Sequence, residues 1–137
     1  MALNKFGVEN QALVINGRDI KDFGETDPPF THAPIDPKTV VRRGLGGKAV
    51  RLDRINPGEE VNLYLNPGSP DSAYMQTLML SEANITLGHT VIGSLEVALG
   101  DEGAIVNTGN TGRAGQSITD DHYILHFNKW NQMKGGE

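Results

Sequence analysis

The sequence predicts a mainly-β fold of about eight strands with a single short helix. Three observations lead there. Apolar and polar residues alternate with period two in several runs, the breaks between runs are turn residues, and only one segment repeats at helical spacing. Seventeen of the 137 residues are glycine, well above ordinary usage, and helices tolerate glycine poorly. A single domain over residues 1–137 is expected, long enough to bury a core without metal or disulfide staples.

Ala12-Leu13-Val14-Ile15 runs into Asn16-Gly17, a pair that supplies positive φ at both centres of a type I′ turn. The chain then returns through Arg18 to Phe23 as a hairpin. Asp27-Pro28-Pro29 breaks it, and Pro34 and Pro37 keep the next stretch irregular or at a sheet edge. A second, basic hairpin covers about residues 39–55, with the tip Gly44-Leu45-Gly46-Gly47. In its return limb Val50 and Leu52 alternate with Arg51 and Asp53. Asn56-Pro57-Gly58 is a turn, after which Val61, Leu63 and Leu65 face a core while Glu60, Asn62 and Tyr64 point away.

The helix is expected at about residues 70–82. Ser69 is a good N-cap, Pro70 suits the first helical position, and Asp71 complements the positive end of the helix dipole. Tyr74, Met75, Leu78 and Met79 then recur at helical spacing. Residues 89–100 read as one strand, with Val91, Leu95, Val97 and Leu99 on one face and Ser94 and Glu96 on the other. A short strand at 104–106, a Gly/Asn/Thr-rich loop at 107–115 and a closing aromatic strand at 121–130 complete the pass.

Net charge is −5, which argues against a general binder of nucleic acid or anionic membrane. The charge is segregated. Six cations and one anion lie between Lys38 and Arg54; nine anions and one cation lie between Glu59 and Asp121. Such a division suits one copy's basic patch meeting another copy's acidic patch. No apolar run approaches the 18 or more residues of a membrane span, and residues 1–10 lack a signal-peptide core. The expectation is a soluble chain made in the cytosol, with no membrane partner.

Reactive chemistry is sparse. The chain has no cysteine, so disulfides and thiolate chemistry are excluded. His122 and His126 have the spacing of helical metal ligands, but on a strand they stand about 13 Å apart. The glycine tip ending in Lys48 lacks the spacing, the hydroxyl residue and the helix of a phosphate loop. No G-x-S-x-G elbow occurs. Glu59-Glu60 and Asp120-Asp121 are neighbours that a strand turns to opposite faces. The sequence nominates no catalytic, cofactor-binding or metal residue, and the expectation is a protein that is not an enzyme and takes no cofactor.

The order of these elements resembles the tail-tube protein family of contractile-tailed (myovirus-type) bacteriophages. The resemblance rests on Val14-Ile15-Asn16-Gly17, the glycine-tipped basic run from Val40 to Arg54, and Gly58-Glu59-Glu60-Val61-Asn62-Leu63-Tyr64-Leu65. The last of these leads through Asn66-Pro67-Gly68-Ser69-Pro70-Asp71 into the helix. It covers about residues 11–82; the remainder agrees only in strand content and in its closing aromatic strand. It implies a β-sandwich or barrel-like tail-tube fold with one short flanking helix, in hexameric rings stacked head to tail as a hollow conduit for viral DNA ejection. It also implies tail sheath, baseplate and tape-measure proteins as partners, DNA passing without specific binding, and a place in the virion tail after assembly in the host bacterial cytoplasm. Candidate subunit-interface residues are Arg42, Arg43, Lys48 and Arg51. Candidate lumen-lining residues are Glu60, Asn62, Ser94 and Glu96. Two alternatives stand beside this reading: the tube protein of a bacterial contractile injection or secretion system, and a small β-barrel ligand-binding domain.

Overall fold

The computed structural model describes residues 7–92 and 94–135; the residues read above for a signal-peptide core lie mostly outside that range. In chain order the strands are β1 (Gln11–Ile15), β2 (Arg18–Ile20), β3 (Phe30–Pro34), β4 (Thr39–Arg43), β5 (Ala49–Asp53) and β6 (Glu59–Leu65). The helix α1 (Pro70–Leu80) follows, then β7 (Ile85–Val91), β8 (Glu96–Thr108) and β9 (Asp121–Met133). Seven strands form one antiparallel sheet in the order β2-β1-β7-β8-β9-β6-β3, while β4 and β5 pair only with each other. Asn16 and Gly17 turn β1 into β2 at φ of 50° and 84°, as a type I′ turn demands.

Two differences from the sequence reading matter. Residues 30–34 do form a strand, and it lies at the sheet edge, where Pro34 costs no ladder bond. Residues 89–100 are not one strand. β7 ends at Val91, Ser94 and Leu95 lie in a turn, and Leu95 has a φ of 62°. The break changes the phase, so Ala98 and Gly100 are buried while Leu99 is exposed. The strand expected at 104–106 is the continuation of β8 beyond a register shift against β7.

The sheet curls into a half-barrel around one apolar cluster, to which Leu13, Ile15, Val61, Leu63, Leu125 and Phe127 belong. Two glycines of β8 permit the curl. A Cβ on Gly103 would stand 2.4 Å from the Phe127 ring, and one on Gly100 would stand 2.8 Å from the Trp130 ring. The rings therefore lie directly on bare backbone and let β9 coil closely over β8. The curl brings β3 across to β7, although three strands separate them in the sheet. Phe30 meets His89 with ring centroids 4.6 Å apart, and His32 meets Trp130 at 5.0 Å. His32 Nδ1 lies 2.5 Å from Glu59 Oε2, and His89 Nε2 lies 2.8 Å from Gln11 Oε1. This seam is closed by side chains rather than backbone bonds.

Helix α1 closes the barrel-like core with Met75, which is fully buried. Ser69 caps it, its Oγ accepting the Ser72 amide at 3.2 Å. Asp71 does more than complement the helix dipole. Its buried carboxylate accepts the amides of Lys21 and Asp22 at 2.7 and 2.9 Å and the Arg18 guanidinium at 2.9 Å, fastening the helix to the end of the first hairpin. Burial alone would raise this carboxyl's pKa; the two amides and the guanidinium outweigh it and hold it below the ordinary carboxylate value.

Two outcomes are expected. Replacing Asp71 by alanine strands two backbone donors and should lower monomer stability by about 3 kcal/mol in urea titration. His89 is held below the ordinary imidazole value, first by burial and then by the nearby His32, with Glu96 opposing. The folded protein therefore binds a proton less readily than the unfolded chain. The corresponding stability is complete above about pH 6.5 and is lost as pH falls from there toward the lowered value. His89 should titrate below about 6.5 by NMR; titration at or above that value would contradict the seam as described.

Candidate functional site: an unpartnered arm and a mixed outer face

Strands β4 and β5 form an arm that the other described residues do not cover. Every residue from 40 to 56 is exposed. The pairing Val40↔Leu52 and Arg42↔Val50 puts Val40, Leu52, Val50 and Arg42 on one face. The other face carries Val41, Arg43, Arg51 and Asp53. Leu45 stands fully in solvent at the tip, where Gly47 has a φ of 87°. Thr39 and then Arg51 hydrogen-bond Asp53 and hold its carboxyl below the ordinary range. Arg51 is the arm's one cation in an ion pair among the described residues; Arg42, Arg43 and Lys48 are in none. The structure thus brings Arg42, Arg43, Lys48 and Arg51 together on one projecting hairpin.

The four lumen candidates are not brought together. Glu60 and Asn62 share the outer face of β6, away from Val61 and Leu63. Register places them beside His126 and Ile124 of β9. Glu60 Oε1 lies 4.0 Å from His126 Nε2, and Asn62 Oδ1 lies 2.8 Å from His122 Nε2. His122 stacks on Tyr64 at 4.2 Å, and its burial there lowers its pKa against the opposing pull of Glu60. Ser94, by contrast, is buried in the turn before β8. Glu96 shares its strand face with buried Ala98, opposite to Val97 and Leu99. The expected pairing of Ser94 with Glu96 on a solvent face fails because the strand it assumed is interrupted.

A second outer-face region was missed. Register aligns Asp19, Val14, Gly88, Leu99 and Asn131 in one row across five strands, and Ala12, Thr90, Val97 and Met133 in the next. Val14, Leu99 and Met133 are all exposed. The signal available in the sequence was the dipeptide Gly93-Ser94, of a composition typical of turns.

A cleft of about 460 Å³ lies between α1 and the loop after β8, lined by Ser69, Ser72, Thr111, Arg113, Asp121 and His122. Several of its polar groups are already engaged: Ser72 and Arg113 both bond Asp121, and Tyr123 Oη donates to the Ser72 carbonyl at 3.0 Å. Asp120 instead turns away and accepts from Thr26. Among the described residues no group of three His, Asp or Glu is placed to hold a metal.

No protein-family model matches the chain, and no curated protein matches it in sequence. Solved structures do match its fold. A chain of the sheath/tube terminator of the PVC extracellular contractile injection system, in the extended state, aligns over 97% of this chain and 99% of its own. Its TM-score is 0.60 at 9% identity. A chain of the anti-feeding prophage tube-terminating cap aligns over 98% and 95%, with a TM-score of 0.59 at 9% identity. A chain of the PVC sheath-tube complex in the extended state aligns over 95% and 92%, with a TM-score of 0.58 at 10% identity. The protein has the mainly-β, single-helix fold of these tube-type chains of contractile systems.

Proposed function

We propose that the chain is a self-assembling structural subunit of the tube of a contractile apparatus, acting by assembly and not by catalysis. The observation that carries this reading is the arm. A two-stranded hairpin is marginal in water by itself, and here residues 40–56 expose apolar and cationic side chains that none of the other described residues covers. A second copy supplies the missing cover. In this reading copies close into hexameric rings that stack head to tail, and sheath and baseplate proteins surround and anchor the tube.

The similar solved structures come from injection systems and an anti-feeding prophage, which favours a machine that delivers cargo. The phage-tail version keeps the same assembly but places it in the virion, where a tape-measure protein and then DNA occupy the lumen. A small ligand-binding barrel is less well supported, since apolar side chains such as Leu13, Val61 and Phe127 fill the inside of the curl. For the lumen we retain Glu60 and Asn62, whose face also presents Tyr64, His122 and His126. Polar, weakly acidic side chains repel a phosphate backbone and let it slide, whereas lysines would hold it.

Arg42→Glu with Arg43→Glu should leave the monomer folded and abolish the rings or tubes that unaltered protein forms at high concentration. Electron microscopy reads the outcome, and normal tubes from the double variant would sink the role given to the arm. Glu60→Lys should still assemble, yet its tubes should retain DNA in low salt and release it in high salt. Tubes with no added DNA retention would place Glu60 outside the channel.

A further inference from the structure

Among the described residues no ladder crosses the seam between β3 and β7. β3 pairs with β6 alone, and β7 pairs with β1 and β8. Two imidazoles hold the seam shut. The His89 ring packs on Phe30 and is only 9% exposed. Its Nε2 donates to Gln11 Oε1 at 2.8 Å, the ring's one hydrogen bond among the described residues. That bond puts the proton of the neutral ring on Nε2 and leaves Nδ1 to take up the next one. His32, the second imidazole, lies against Phe30 and Trp130, and its Nδ1 is 2.5 Å from the buried carboxylate of Glu59.

The groups that face His89 come from several elements. β1 presents Gln11, which is neutral, and β3 presents Phe30 and the titratable His32. β8 presents Glu96, diagonal to His89 across the His89↔Ala98 pair. Glu59 of β6 is engaged with His32, and β9 contributes the uncharged Trp130. A proton on Nδ1 therefore creates a buried cation whose new N–H has no acceptor among the described residues. It sits beside a second imidazole, and Glu96 offsets the cost only in part. Water relieves it, and reaching water breaks ring contacts and no backbone bond.

We propose that the seam is an acid-operated latch: protonation of His89 moves β3 away from β7 and opens the curl along its side, while the strands keep their pairing. The closed seam binds the proton less readily than the open one. Its advantage is complete above about pH 6.5 and shrinks as pH falls from there toward the lowered value of His89. Above that window the latch is shut, and no other part of the sheet has to melt for it to open.

Trp130, the chain's one tryptophan, reports on the seam through its contact with His32. The test follows acrylamide quenching of Trp130 in the full-length protein as pH is lowered through the imidazole range. Accessibility is read rather than intensity, because a protonated imidazole dims a nearby indole without any opening. Quenching should steepen with a midpoint below about pH 6.5, while far-UV circular dichroism stays unchanged. His89→Phe keeps a ring on Phe30 but has no proton to gain, and its quenching should stay flat over the same range. A second measurement serves if that variant does not fold: the His89 ring of the unaltered protein, followed by NMR, should titrate with the quenching midpoint. Flat quenching in the unaltered protein overturns the latch, as does an unchanged transition in His89→Phe. Loss of the circular dichroism signal at the quenching midpoint also overturns it, since the whole fold would then be melting. A His89 titration displaced from the quenching midpoint assigns the transition to another group and rejects the proposal.

Discussion

Two absent side chains set the shape of the molecule. Because Gly100 and Gly103 carry no Cβ, Phe127 and Trp130 can lie against the backbone of β8, and the long β8–β9 pair coils instead of running flat. Coiling lets one sheet bury its own apolar face, so a layer architecture that ordinarily needs two sheets is reached with one. Everything else follows the curl. It brings Phe30 and His32 of an edge strand against His89 and Trp130, and it leaves an open end that α1 must close. Asp71 fixes the helix there through the Lys21 and Asp22 amides and Arg18. A side chain at Gly103 would press on the buried Phe127 ring, which has little free space to yield, and one at Gly100 would displace the half-buried Trp130 ring.

Much of this fold was legible in the sequence where local chemistry and period agree. Asn16-Gly17 admits one kind of turn; Val61, Leu63 and Leu65 alternate with polar residues over a full strand; Ser69-Pro70-Asp71 states a helix start. The β7–β8 turn was hidden because Val91, Leu95, Val97 and Leu99 continue an even alternation straight through it. Period two cannot reveal a reversal that preserves apparent phase, and only the Gly93-Ser94 dipeptide marked one. Asp71 shows a different limit. Its position at a helix start was plain, but its partners lie some fifty residues away on another element, where sequence spacing is silent.

The candidate site divides in the same way. The arm is a local object, two short strands and a glycine tip, and its four cations were readable as one group. The surfaces on the sheet are not local. Glu60 and Asn62 meet His126 and His122 only through the β6–β9 register, and the Val14–Leu99 row spans strands from opposite ends of the chain. A register must be known before such rows exist, and a single misplaced turn was enough to set Ser94 and Glu96 on a face they do not occupy.

The cationic arm also bears on how copies of the chain can meet. Two copies that met arm to arm on the Val40–Leu52 face would set Arg42 against Arg42, and that repulsion falls on the same apolar strip that would otherwise attract. The hairpin therefore disfavours pairing with its own image. A contact in which it lies on a different surface escapes that cost, so the segment that most needs cover is also the one least suited to covering itself.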